Sequence, residues 1–292
     1  MSKQVELVID AKATLGEGPI WDVDGQVLYW IDIEERELHV YDPRLDEDRR
    51  IDLPERPGTV VPRNSGGLML AQENGFASFD LETAQVTVII DPERDKPGNR
   101  FNDGKCDPQG RFWAGTMSLD KSQPTGSLYR LDPDLSVHKM CSNLTISNGI
   151  GWSRDQSTMY YIDTPQMCIH AYDFDPATGE ISNKRVAVTI PKDASWPDGM
   201  TIDADDKLWV GHYGGGHVCC WDPQTGKQLD RIELPCPNVT ACAFGGPNLD
   251  VLYITTARAG MDEKSLAEQP LAGGLFRAKP GVEGVGAFAF AG

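Results

Sequence analysis

The chain repeats itself. A turn, a short aromatic or β-branched run and a second run ending in Asp or Pro recur six times along 292 residues. The units are VLYWIDIEERELHVYDP (27–43), GLMLAQENGFASFDLET (67–83) and RFWAGTMSLDKSQPTGSLYRLDP (111–133), followed by TMYYIDTPQMCIHAYDFDP (158–176), KLWVGHYGGGHVCCWDP (207–223) and VLYITTARAGMDEKSLAEQPLAGGLFRAKP (251–280). Six units average about 49 residues each, the span of a propeller blade. Each reads as a hairpin with alternating in/out side chains, and a lone hairpin cannot bury its face. Stacking hairpins radially buries those faces and leaves only short, protected edges. The expected fold is therefore all-β, a six-bladed β-propeller formed as one domain by residues 1–292; six similar units disfavour the rival, an irregular β-sandwich. A first strand near residues 6–10 has no hairpin of its own. It is expected to close the ring by pairing with the last blade, beside residues 286–290.

Composition agrees with many short elements. Thirty glycines and twenty prolines are spread along the chain rather than gathered in a linker, and no stretch sustains helical periodicity. The best helical candidate is short, at residues 262–268. With 27 basic and 44 acidic residues the formal charge is −17, which disfavours gripping phosphates or docking on an anionic membrane. No apolar run reaches the roughly 18 residues of a membrane span, and the N-terminus lacks a signal-peptide pattern. None of the seven cysteines falls in a C-x-x-C spacing, so they read as reduced structural thiols of a cytoplasmic protein. No nucleic-acid or membrane partner is expected, and the chain is expected to be a monomer or weak dimer.

The segments before four of the hairpins align with one another: LGEGPIWDVDGQVLYW from Leu15, FNDGKCDPQGRFW from Phe101, ISNGIGWSRDQSTMYY from Ile146 and WPDGMTIDADDKLW from Trp196. Each carries an oxygen-bearing residue before Gly: Glu17, Asp103, Asn148 and Asp198, with Asn102 one position earlier in the second. In a propeller the innermost strands ring the central axis, so these groups are expected to meet at one mouth of the channel. Gathered carboxylates repel and raise one another's pKa, a conflict that a cation resolves. An all-oxygen donor set favours a hard cation such as calcium, magnesium or manganese over structural zinc. Taken singly, each Asx-Gly pair is ordinary turn chemistry; recurrence in four repeats favours the site.

With these motifs the chain resembles the regucalcin/gluconolactonase-like family of six-bladed, metal-dependent sugar lactonases. The resemblance runs through LGEGPIW (15–21), RFNDGKCDPQGRFWAGTM (100–117), ISNGIGWS (146–153), PDGMTID (197–203), FGGPNLDVLYITTAR (244–258) and LAGGLF (271–276). It implies one axial divalent metal, with calcium favoured and zinc, manganese or magnesium as alternatives, held by residues matching Glu17, Asn148 and Asp198. Arg100 and Asn102 match a substrate-contacting pair, with Asp103 just behind it. Asp120 is the nearest match to a glutamate that contacts substrate in some members; the shorter side chain leaves that match open and points to a changed sugar preference. The implied reaction is hydrolysis of an aldonolactone to the aldonic acid. Asp198 is the expected catalytic residue, orienting and deprotonating water, and Asp103 is an open alternative as base. A calcium-propeller phosphotriesterase and a non-catalytic calcium- or protein-binding propeller are the competing readings. Arg100 and Asn102, donors suited to a polyol, favour the lactonase.

Other features are less informative. GHYGGGH (211–217) reads as a turn within a hairpin, although His212 is a secondary candidate for touching substrate. No G-x-S-x-G occurs, which argues against a serine esterase. Trp30, Trp113 and Trp209 recur by blade and are expected to pack in the core.

Overall fold

The computed structural model describes residues 4–121, 123–191 and 195–292. It is a β-propeller of six four-stranded antiparallel sheets. A first strand, β1 (Val5–Ile9), precedes blade 1, which is formed by β2 (Gly16–Asp22), β3 (Val27–Asp32), β4 (Glu37–Asp42) and β5 (Glu47–Asp52). Blade 2 comprises β6 (Pro57–Pro62), β7 (Leu68–Gln72), β8 (Gly75–Phe79) and β9 (Val86–Ile90). In blade 3 the strands are β10 (Asn99–Cys106), β11 (Phe112–Ser118), β12 (Gly126–Leu131) and β13 (Val137–Leu144). Blade 4 follows as β14 (Ser147–Trp152), β15 (Thr158–Asp163), β16 (Cys168–Phe174) and β17 (Ile181–Thr189). Blade 5 contains β18 (Trp196–Ile202), β19 (Leu208–Tyr213), β20 (His217–Asp222) and β21 (Lys227–Glu233). The last blade holds β22 (Val239–Gly245), β23 (Val251–Thr256) and β24 (Leu275–Ala278), with β1 as its outermost strand.

The repeated runs of the sequence are the two middle strands of each blade, and the aligned segments before them are the inner strands. Aromatic residues fill the space between blades. Trp30, Trp113 and Trp209 are essentially fully buried, which removes a large apolar area from water. Trp113 and Trp209 share one register position, opposite Lys105 and Thr201. In blade 1 Tyr29 holds that position, opposite Ile20, and Trp30 stands one residue further on, on the other face of its strand. Turn aspartates hold Trp113 and Trp209, while Trp30 Nε1 donates to Asp48 on β5 at 3.2 Å. Asp107 accepts from Trp113 Nε1 at 2.9 Å, and from the backbone N–H of Gln109. Asp203 repeats the arrangement with Trp209 Nε1 at 2.8 Å and the N–H of Asp205 and Lys207. The short helix α1 (Glu263–Glu268) lies where expected, capped by the Asp262 carboxylate accepting from Ser265 N–H.

Ring closure differs from expectation in one respect. β1 does pair with the last blade, but against β24, with Val5 opposite Ala278 and Leu7 opposite Phe276. Residues 286–290 are not its partner. β24 already has β23 on its other side, so blade 6 is complete without the C-terminal segment. That segment instead crosses one end of the channel. Ala204 N–H donates to Glu283 O, Phe290 N–H to Pro62 O and Ala291 N–H to Gly110 O, touching blades 5, 2 and 3 in turn. Val285, Phe288 and neighbouring residues cover the apolar ends of the inner strands at Ile20, Ile202 and Phe244. The opposite end stays open.

Candidate active site at the open mouth of the channel

All six inner strands lose register with their neighbours at the same level: between Glu17 and Ile20, Pro57 and Thr59, Phe101 and Gly104, Asn148 and Ile150, Pro197 and Met200, and Val239 and Cys242. Such an irregularity breaks the two-residue alternation and re-aims a side chain. The polar residues singled out from the sequence stand at this break in four blades. Two of the adjoining glycines, Gly149 and Gly199, have a packing reason. A Cβ on Gly199 would lie 2.4 Å from Ala241 Cβ, and one on Gly149 would lie 2.7 Å from Met200 Cβ. These two glycines thus let successive inner strands approach one another, which is a different role from admitting a ligand.

Glu17, Arg100, Asn102, Asn148 and Asp198 line one cavity of about 560 Å³ at the open mouth. A hydrogen-bonded chain crosses three blades along its floor. Arg100 Nη1 donates to Asn102 Oδ1 at 2.8 Å. Asn102 Nδ2 donates to Asn148 Oδ1 at 3.1 Å and to Ser147 O at 2.7 Å. Asn148 Nδ2 donates to Thr164 Oγ1 at 2.9 Å, and that hydroxyl donates to Pro197 O at 2.8 Å, next to Asp198.

The carboxylates are under electrostatic stress. Burial, and then the charge of Asp103, push the Glu17 carboxyl up to about 8, against the pull of Gly18 N–H, Arg100 and Lys105. Asp198 is raised well above the usual carboxylate range, by burial first and then by Glu17 and Asp103. Asp198 Oδ1 is buried and has no hydrogen-bond partner among the described residues. A buried carboxylate oxygen without a donor is costly. Positive charge at this point would relieve both the orphaned oxygen and the mutual repulsion. Glu17, Asn148 and Asp198 therefore fit a hard divalent cation by donor chemistry: two carboxylates and an amide oxygen.

A family model described as the SMP-30/Gluconolactonase/LRE-like region matches residues 15–258. The chain belongs to this family. Regucalcin of Xenopus laevis is 41% identical over 299 residues, covering 100% of this chain and 99% of its own. A Bacillus subtilis (strain 168) relative bearing the name "Putative sugar lactone lactonase YvrE" is 41% identical over 286 residues, covering 98% of each chain. Among solved structures, a luciferin-regenerating enzyme superposes with TM-score 0.93 at 34% identity, covering 99% of this chain and 100% of that one. A calcium-binding regucalcin from Agrobacterium tumefaciens gives 0.94 at 28% identity, covering 99% and 98%.

This member of the family places its other candidates unevenly. Asp103 sits deeper than the mouth, its Oδ1 accepting from Gly104 N–H at 2.7 Å, and it shares a small inner void with Thr59, Lys105 and Met200. Asp120 is exposed and accepts from Ser118 Oγ at 2.6 Å; its neighbours Leu119 and Lys121, rather than Asp120, are among the cavity-lining residues. His212 is not at the mouth. It lies on β19 rather than on an inner strand, is fully buried, and stacks on His217 with ring centroids 4.7 Å apart.

Several lining residues had no sequence signal. Thr164, Glu34 and Tyr213 come from segments outside the aligned motifs. Lys105 lies inside one, but only the fold shows that its Nζ donates to Met200 O of another blade. Trp196 is 51% exposed at the rim, and its position two residues before Asp198 was the available clue. The described cysteines are all free, and six of the seven are buried. Among the described residues no helix is long and apolar enough to cross a membrane.

Proposed function

We propose that this chain is a metal-dependent sugar lactonase, hydrolysing an aldonolactone to the aldonic acid in the manner of a gluconolactonase. The observation that carries the reading is the orphaned Asp198 Oδ1, buried among carboxylates at the floor of an open cavity. A divalent cation held by Glu17, Asn148 and Asp198, calcium foremost, would supply Lewis-acid stabilisation of negative charge on the lactone carbonyl oxygen.

The chain's own residues do the rest. Arg100 holds ring hydroxyls, and an analogue lacking them leaves a buried guanidinium short of partners. Asn102 has both ends of its amide engaged within the protein, so its part is to hold Arg100 and Asn148 in place. Asp198 orients the attacking water and takes its proton, which passes to the ring oxygen as the carbon–oxygen bond opens. Asp103 is the weaker candidate for base, because one oxygen is tied to Gly104 N–H below the mouth.

The apolar part of the wall, with Leu15, Met117, Ile146 and Trp196, is more than a small polyol needs. It keeps a phosphotriester as a second substrate class for the same assay. The test is proton release from a panel of aldonolactones and one phosphotriester, with the spontaneous rate subtracted, before and after chelation and after adding back calcium, manganese or zinc. Lactone turnover that dies with chelator and returns with metal supports the reading. Turnover indifferent to chelation, or seen only with the phosphotriester, defeats it.

A further inference from the structure

Blade 5 contains a second group of ligating side chains, unrelated to the oxygen donors on the axis. His212 and His217 are the last cross-strand pair before the glycine turn that joins β19 to β20. Cys219 is two residues further along β20, so the two-residue alternation of a strand puts it on the same face as His217. One ligand atom from each of these three buried residues lies within 4.8 Å of the others. We propose that His212, His217 and Cys219 form a separate site for a thiophilic dication, with zinc as the representative ion.

Three observations support this. Two imidazoles and a thiolate suit zinc and softer ions, whereas the axial donors suit hard ones. In a tetrahedral zinc site the donor atoms stand about 3.3–3.6 Å apart, so the side chains need to close by about 1 Å, and the stacked rings of His212 and His217, 29° between planes, need to turn so that their lone pairs converge. His217 is also already oriented as a metal-bound histidine usually is. Its Nδ1 donates to Gly215 O at 2.7 Å, which leaves the lone pair on Nε2. That Nε2 is buried and without a hydrogen-bond partner among the described residues. A ring nitrogen fixed by a backbone carbonyl, with the other free to ligate, is the usual outer-shell arrangement.

The turn beside the pair reaches the surface. Gly214 is exposed, and a side chain there would meet nothing within 4 Å. Coordination breaks the Cys219 S–H bond, forms a sulfur–metal bond and releases one proton to solvent. The register places Glu233 opposite His217 and Arg231 opposite Cys219, so one charge of each sign flanks the pair on β21. His212 is itself opposite Pro197, the residue before Asp198. An ion here would therefore stiffen the strand pair that carries an axial ligand.

Cobalt(II) titration of the full chain under reducing conditions tests the proposal, because a thiolate-to-cobalt charge-transfer band cannot come from the all-oxygen axial site. The band is expected in the wild type, displaced by zinc, lost in Cys219→Ser and His217→Gln, and kept in Cys236→Ser. Zinc should raise the melting temperature of the wild type more than that of Cys219→Ser, while lactone turnover of Cys219→Ser stays within about twofold of wild type. Absence of the band in the wild type, or its persistence in Cys219→Ser, overturns the site. If Cys219→Ser does not fold, His217→Gln with the wild type decides. Because the readout is optical, failure of this site and failure of the lactonase reading are distinguishable.

Discussion

Asn102 donates its side-chain N–H to the side-chain oxygen of Asn148 at 3.1 Å, joining the inner strands of blades 3 and 4 at the level of the carboxylates. The bond fixes which end of the Asn148 amide faces its neighbour. Removing the brace in Asn102→Ala should weaken divalent-cation affinity by about 10–100-fold, the usual effect of losing an outer partner of a metal ligand. Calorimetric titration with calcium reads this directly, and unchanged affinity would show that the brace is dispensable.

Asp198→Asn keeps the size of the side chain and removes its charge. Turnover of the responsive lactone should fall by about 10²–10⁴-fold, the range expected for losing a general base. Metal content must be measured on the same sample. Near-normal turnover with metal still bound would rule Asp198 out as the base.

Stability should respond to pH through Glu17, whose carboxyl is raised in the fold from 4.5 to about 8. A raised acid favours the folded state in its neutral form. That contribution is present below about 4.5 and is lost as pH rises toward about 8. Chelated protein should therefore lose stability across this window, while a bound cation compensates the charge. The rise in melting temperature on adding calcium is expected to be larger at pH 8 than at pH 5. Equal rises at both would contradict this account of Glu17.

Gly199→Ala tests the packing of the inner strands. Its new Cβ would fall 2.4 Å from Ala241 Cβ, with Ala241 Cα at 2.9 Å. Overpacking of this kind costs about 1–3 kcal/mol, visible as a melting temperature lowered by several degrees. A melting temperature equal to wild type would mean that blades 5 and 6 can separate at no cost.

Much of this molecule was legible before folding because a propeller is built from local contacts repeated. Hairpin runs, turn aspartates and the strand tryptophans depend on neighbours a few residues away, so their spacing announces both the blade and the number of blades. Glu17, Asn148 and Asp198 were legible for the same reason: each stands beside Gly at the equivalent point of its unit. Non-repeating parts were not legible in that way. The C-terminal segment has apolar residues that suit a strand, and only the completed sixth blade leaves it to cover the channel end. Asp120 and His212 follow promising motifs, yet loop path and strand alternation carry them away from the cavity.

The sequence by itself determined the six-bladed architecture and which polar residues stand at equivalent points of its units, since periodicity and turn chemistry act within each unit. Only the tertiary structure decided which groups share a dielectric environment. The burial that raises Glu17 and Asp198 and the amide chain from Arg100 to Thr164 exist because closing the ring brings distant strands together and excludes water between them.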